Sequence, residues 1–266
     1  MSFQTIELTV ADHLARLTLK RPHSANAINP VMAEELWLAT IACEESPDVR
    51  AVLITSEGRF FCAGGDLGSF AGAGPAIGEQ LAKMTGFIHG AFSKLARMTA
   101  PVVIAVNGAA AGAGLSLALL GDIVVAAKSA TFTSGYTAAG LTPDGGSTYL
   151  LPRLVGYRRA QEMVLCNRRV GADEALQWGL VTTVVEDDQL LARAEQIARQ
   201  LVEGPLQAIG GARRLLLASA GDEYETQMER EARAIIAAAK GAEGQEGIAA
   251  FLAKRRPNFL NLESGK

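Results

Sequence analysis

Residues 101–127, PVVIAVNGAAAGAGLSLALLGDIVVAA, form an almost unbroken apolar run long enough to span a bilayer. No other stretch narrows the possible folds as far, because such a run must be buried, either in lipid or at the centre of a large core. Its interruptions decide between the two. Asn107, four glycines and Asp122 break the run. A β-branched stretch ending in Asn-Gly, a Gly/Ala turn, a short helix ending at Gly121 and a second β-branched stretch, IVVAA, read as strand, helix, strand inside a core. The rest of the chain supplies the material for that core. At 266 residues, 49% of them hydrophobic and 20% charged, it can build one large core with or without a small appendage.

A net charge of −3 gives no general attraction to nucleic acid or anionic lipid, so neither nucleic acid nor membrane is expected as a partner. Cys43, Cys62 and Cys166 are odd in number and stand far apart, which argues against a disulfide framework and against a zinc site; they read as reduced core residues. The opening MSFQTIELTV has neither a basic start nor a continuous apolar stretch, and a cytoplasmic location is the expectation.

Along the chain, residues 4–10 and 13–20 alternate apolar and polar positions around Asp12, as a half-buried hairpin does. Residues 30–45 carry helical spacing with Pro30 in the first turn, and 49–56 read as a strand. A polar, glycine-punctuated stretch at 68–79 precedes a helix of about 20 residues ending at Met98. Strand, glycine-rich turn and helix then recur, which suits a spiral of parallel strands with helices outside and also a doubly wound sheet. From 186 onward only helical patterns appear, divided by Gly or Pro. The expected division is a core over 1–200 and a helical C-terminal region over 201–266.

Two glycine turns could carry chemistry. RFFCAGGDL, residues 59–67, brings a strand into nearly bare backbone at Ala63, Gly64 and Gly65. NGAAAGAGLSLAL, residues 107–119, puts Gly112, Ala113 and Gly114 at the start of a helix. Free N–H groups at such places favour negative charge on a ligand oxygen, and two donors make an oxyanion hole.

The patterns VxAVxxTxxGxxFxAGxDL, PxxxAVNGxAxGAGxxLALxxD and ATFxxxxxxxGLxPDGGSxxxLPRxVG together resemble the crotonase (enoyl-CoA hydratase/isomerase) superfamily, from Ile6 to Phe259. The resemblance implies an α/β fold: a crotonase (ClpP-like) spiral of ββα units with a C-terminal helical trimerisation region. It also implies homotrimers or dimers of trimers acting on acyl-CoA thioesters, with coenzyme A arriving as part of the substrate and no metal or other cofactor. The backbone N–H groups of Gly65 and Ala113 then hold the thioester carbonyl. Ser24, Ala25, Ala27, Ala63, Gly64, Asp66, Leu67, Tyr136 and His89 are the expected substrate-site positions, Asp66 bracing its turn.

Hydratases of this family use two glutamates; at the matching positions stand Ser116 and Tyr136, which disfavours hydration. Asp144, in GLTPDGGS, is either a helix-capping acid or, as in the similar Δ3,Δ2-enoyl-CoA and ring-epoxide isomerases, a single acid/base. The preferred expectation is double-bond isomerisation with Asp144 as acid/base, Ala138, Ala139 and the loop at 68–80 shaping the acyl pocket. The alternative is dehalogenation similar to that of 4-chlorobenzoyl-CoA dehalogenase, with Asp144 as nucleophile and His89 nearby. A weak hydratase, or an inactive or RNA-binding homologue, would leave these acids idle; the basic LAKRRPNF at 252–259 is instead expected near the CoA phosphates of a neighbouring subunit.

Overall fold

The computed structural model describes residues 3–262. The expected hairpin forms as β1 (Ile6–Ala11) and β2 (Leu14–Leu19), paired antiparallel. Helix α1 (Pro30–Glu45) starts where its first-turn proline predicts, with the Asn29 side chain accepting the Met32 N–H at 2.9 Å. Strand β3 (Ala51–Ser56) then runs parallel to β2. Next come α2 (Leu67–Ala73), α3 (Ile77–Arg97), β4 (Val102–Val106), β5 (Ala109–Ala111) and α4 (Ala113–Ala118). They are followed by β6 (Ile123–Ala127), β7 (Thr131–Thr133), α5 (Ser147–Val155), α6 (Tyr157–Leu165), β8 (Val170–Gly171), α7 (Ala172–Trp178) and β9 (Thr183–Val185). Four helices close the described chain: α8 (Leu190–Val202), α9 (Leu206–Ala218), α10 (Tyr224–Lys240) and α11 (Ala242–Leu252).

The register of the strands shows the spiral. One sheet has the order β1-β2-β3-β4-β6-β9, parallel beyond the first pair, and the second has the order β5-β7-β8. Each turn of chain supplies one strand to the large sheet and a few residues to the small one. After β3 comes Cys62, after β4 comes Ala110 and after β6 comes Phe132; Cys62 bridges Ala110 in parallel, and Ala110 pairs with Phe132. The central strands are buried on both faces, which explains why they read as continuous apolar runs. Val52, Ile54, Ile104 and Val106 face the main core, while Leu53, Val103 and Ala105 face Leu190, Ala194 and Ala198 of α8. Arg213 of α9 fastens the later helices to this body: it is buried, donates to the carbonyls of Leu95, Met98 and Ala100, and pairs with Asp122 at 2.7 Å.

Four expectations are corrected. The Gly/Ala turn within 101–127 contains a short strand, β5, because its peptides complete the ladder between Cys62 and Phe132. The glycine-punctuated stretch at 68–79 is largely helical: Asp66 caps α2 by accepting the Ser69 N–H at 3.1 Å, and Phe70 is buried on the core. Cys43 and Cys62 are buried as expected, but Cys166 ends α6 at the surface. The capping alternative for Asp144 fails, since α5 begins after Gly146 with no side-chain cap.

Asp66 also meets Arg21 at 3.0 Å. Burial opposes its charge, yet the Ser69 N–H and the Arg21 guanidinium together hold its carboxyl below the ordinary carboxylate range. A lowered folded value means that the charged form contributes stability at neutral pH and loses it as pH falls through that value. Asp66→Ala is therefore expected to lower the unfolding free energy by about 1 kcal/mol at pH 7, the usual scale for an N-cap. Urea titrations of both proteins should show the gap closing in acid, below the ordinary carboxylate range.

Candidate active site

The bridge between Cys62 and Ala110 brings the two glycine turns into backbone contact. Cys62 N–H donates to Ala109 O at 3.1 Å, and Ala111 N–H donates to Cys62 O at 2.9 Å. Just beyond, Gly64 adopts φ +95°, where a side chain is strained, and a Cβ added there would stand 2.9 Å from Ala111 O and 3.3 Å from Ala113 N. Gly65 follows with its N–H unused: Ile28 N–H donates to Gly64 O at 2.7 Å and Ile28 O accepts from Asp66 N–H at 2.9 Å, leaving the Gly65 peptide turned away from that ladder. Ala113 is the first residue of α4, so its N–H has no carbonyl one turn earlier. Among the described residues neither N–H has an acceptor, and both residues line one cavity of about 280 Å³.

Asp144 enters the same cavity from the loop before α5 and is the single carboxylate on its wall among the described residues. Tyr136 O–H donates to its Oδ1 at 2.6 Å. Burial first, then the negative charge of Asp144, push the Tyr136 phenol up, so it stays protonated and remains a donor. Ser116 Oγ lies 3.2 Å from the Tyr136 hydroxyl and donates to the Asp144 backbone carbonyl at 3.0 Å. On the far side, His89 Nε2 stands 3.3 Å from Asp144 Oδ2. Cys62 is no candidate nucleophile, because burial pushes its thiol up to about 12.

Of the expected site residues, Ala63, Gly64, Gly65, Leu67, Ala113, Tyr136 and Asp144 share the cavity wall. Ser24, Ala25, Ala27 and Asp66 do not reach it; they brace it from behind. Ala63 N–H donates to Ala25 O at 3.0 Å, and the Arg21 guanidinium joins the Ala27 carbonyl, the Ser24 hydroxyl and the Asp66 carboxylate. His89 borders a second cavity, of about 720 Å³, and touches the first only through Asp144. Ala139 lines the first cavity and Ala138 does not. Phe70, from the stretch at 68–80 expected to shape the pocket, lines the cavity; the sequence reading missed Arg21 and the rest of the apolar wall, Leu81, Met84, Ile88 and Leu141.

Residues 9–261 match the model of the enoyl-CoA hydratase/isomerase family. The chain belongs to that family. It is 38% identical over 247 residues to the 1,2-epoxyphenylacetyl-CoA isomerase of Escherichia coli, covering 91% of this chain and 93% of that one. It is 34% identical to 4-chlorobenzoyl coenzyme A dehalogenase-2 of an Arthrobacter species, over 94% of this chain and 91% of that protein. Among solved structures, an enoyl-CoA hydratase from a Polaromonas species superposes with a TM-score of 0.91 at 34% identity, covering 95% of this chain and 98% of that chain. The fold is therefore the crotonase spiral of this family of acyl-CoA enzymes.

The tight approach of the two turns makes Gly64 a sharp test of the site. Gly64→Ala forces a side chain into a left-handed backbone and against Ala111 O, which should destabilise the protein by roughly 1–3 kcal/mol. Turnover should fall further than stability does, because the Gly65 N–H moves with the turn. Denaturation curves and rates on the same variant read the two effects apart.

Proposed function

We propose that this family member isomerises enoyl-CoA thioesters, with Asp144 as its one acid/base. The observation that carries the reading is the pairing, on one cavity wall, of two unused N–H groups with a single carboxylate. In this reading the Gly65 and Ala113 N–H groups bind the thioester oxygen. Asp144 takes a proton from the carbon beside the carbonyl, the two donors hold the dienolate that forms, and the same acid returns the proton two carbons away. Tyr136, donating to Oδ1, fixes the plane of the carboxylate against the substrate. The reaction needs no cofactor beyond the coenzyme A carried by the substrate. Hydration is disfavoured because Ser116 and Tyr136 offer hydroxyls where a second carboxylate would be required.

A second reading is kept because His89 stands against Asp144 at 3.3 Å. Dehalogenation of an aryl-CoA would use Asp144 as nucleophile at the ring, followed by hydrolysis of the resulting ester. Assays of chloride release from 4-chlorobenzoyl-CoA and of isomerisation of trans-3-hexenoyl-CoA distinguish the two.

The wider expectations belong to the same proposal. We place the enzyme in the cytoplasm, and among the described residues no helix is long and apolar enough to cross a membrane. Large apolar side chains stand exposed on the last three helices, among them Leu216, Ile235 and Phe251, which supports assembly into trimers or dimers of trimers through the region beyond residue 200. Arg255 and Arg256 pair with Glu246 and Glu203 of their own chain, leaving Lys254 as the freest of the basic cluster for a CoA phosphate.

Asp144→Asn keeps the shape of the site and removes the base. Turnover of trans-3-hexenoyl-CoA should fall about a hundredfold or more, with affinity for the CoA ester unchanged. Unchanged turnover would remove Asp144 from the chemistry.

A further inference from the structure

Helix α3 separates two cavities. Leu81, Met84, Thr85 and Ile88 recur at helical spacing and line the cavity that holds Asp144 and the two unused N–H groups. Gln80, Lys83, Met84 and Phe87 recur at the same spacing and line an outer groove of about 430 Å³, whose other edge includes Pro30 and Val31 of α1. Among the described residues Met84 is the one that borders both. Its distance from the acid follows from the helix: His89 meets Asp144, and Met84 stands one turn before the neighbouring Ile88, about 6 Å along the axis. The side chain is buried, and Gln80 Nε2 lies 3.9 Å from its Sδ while donating to Ser69 Oγ of α2 at 2.9 Å. An unbranched thioether with three rotatable bonds suits such an irregular gap, and Gln80 ties it to the α2 side of the cavity.

We propose that Met84 sets the length of acyl group that the site admits, by closing the acyl cavity where it would otherwise run into the outer groove. This rests on the reading that the thioester lies on the Gly65 and Ala113 N–H groups with its acyl chain in the same cavity. A chain that follows the α3 wall away from Asp144 reaches Met84 within one turn of helix. The cavity, at about 280 Å³, lies at the small end of the range for ligand sites, so a short acyl group fills it. A longer chain has to displace a buried side chain or leave its end in water, and either way the added methylenes forgo their hydrophobic gain. Truncating Met84 joins cavity to groove, where Pro30, Val31 and Phe87 offer apolar surface to the end of the chain and Lys83 is engaged by Glu79 at 2.7 Å. Leu81 borders the acyl cavity and not the groove, so shortening it adds room without opening that way.

Calorimetric affinities for hexanoyl-CoA and dodecanoyl-CoA report chain length without any reaction. The wild-type protein should gain nothing from the longer chain; a tighter dodecanoyl complex overturns the proposal. Met84→Ala should move the dodecanoyl-to-hexanoyl affinity ratio about tenfold or more toward dodecanoyl, and kcat/KM for trans-3-dodecenoyl-CoA against trans-3-hexenoyl-CoA should move the same way. Met84→Val removes less volume, keeps the test open where Met84→Ala does not fold, and should shift the ratio in the same direction by less. Leu81→Ala should leave the ratio within about fourfold, the weight of one methylene. An unmoved ratio in the folded Met84 variants, or an equal shift in Leu81→Ala, removes Met84 from control of chain length. An unmoved ratio in an enzyme that isomerises trans-3-hexenoyl-CoA sinks this proposal alone, whereas a moved ratio in a protein that isomerises neither ester keeps Met84 and sinks the isomerase reading.

Discussion

The site depends on one close contact: peptide backbone from one turn of the spiral lies directly on peptide backbone from the next. Side chains would hold these strands apart. A Cβ at Gly114 would stand 2.2 Å from Cys62 O, and one at Gly64 would press on Ala111 O, so the residues along this seam are small because the backbone leaves no room for others. Behind the seam, the ladder from Cys62 through Ala110 to Phe132 fixes the spacing, with all three residues buried. Two amides that are distant in sequence are thereby aimed into one cavity without a moving part. Donors that need no rearrangement when charge develops are the ones that stabilise it most.

The position of the acid follows from a second constraint. Asp144 sits before Gly145, at φ +62°, whose missing side chain would meet Phe92 of α3 and Cβ of Ser116 of α4, each at 3.0 Å. The loop is wedged between two helices, and Ser116 adds a hydrogen bond to the Asp144 carbonyl. The helix that offers the Ala113 N–H thus also holds the backbone of the acid, through a residue less than one turn further on. The Ala113 N–H and the Asp144 backbone are thus tied to the same short element.

Much of this was legible in the sequence because its causes are local. Pro30 and the apolar spacing after it mark α1, β-branched runs mark the buried strands, and two glycine motifs at strand ends mark the turns that meet. What was not legible depends on partners far along the chain. Three of the seven residues of α2 before its cap at Gly74 are Gly or Ser, and the helix exists because Asp66 caps it and Phe70 finds the core. Leu81, Met84 and Ile88 carry the spacing of any core-facing helix, and only the fold shows that this face borders a cavity. Arg21 lies in an irregular stretch whose sequence gives no sign that Asp66 stands across from it. The pairing of His89 with Asp144 was foreseen only as an adjacency, since a histidine in a helix carries no information about which loop will pack on it.

Ser116, Tyr136 and Asp144 form one coupled choice rather than three independent ones. Their polar atoms run in a chain, 3.2 Å from Ser116 Oγ to the Tyr136 hydroxyl and 2.6 Å from there to Asp144 Oδ1. A carboxylate in place of the Tyr136 hydroxyl would set a second negative charge within about 4 Å of the first, a repulsion on the order of 4 kcal/mol at an effective dielectric of about 20. Such a site would share a proton between its acids, and water would have a second base to attack from. With hydroxyls instead, Oδ1 meets a donor, and the phenol is held protonated by its burial and by the very charge it supports. The two hydroxyls that stand where a second carboxylate would be required are therefore also part of the network that holds Asp144 in place.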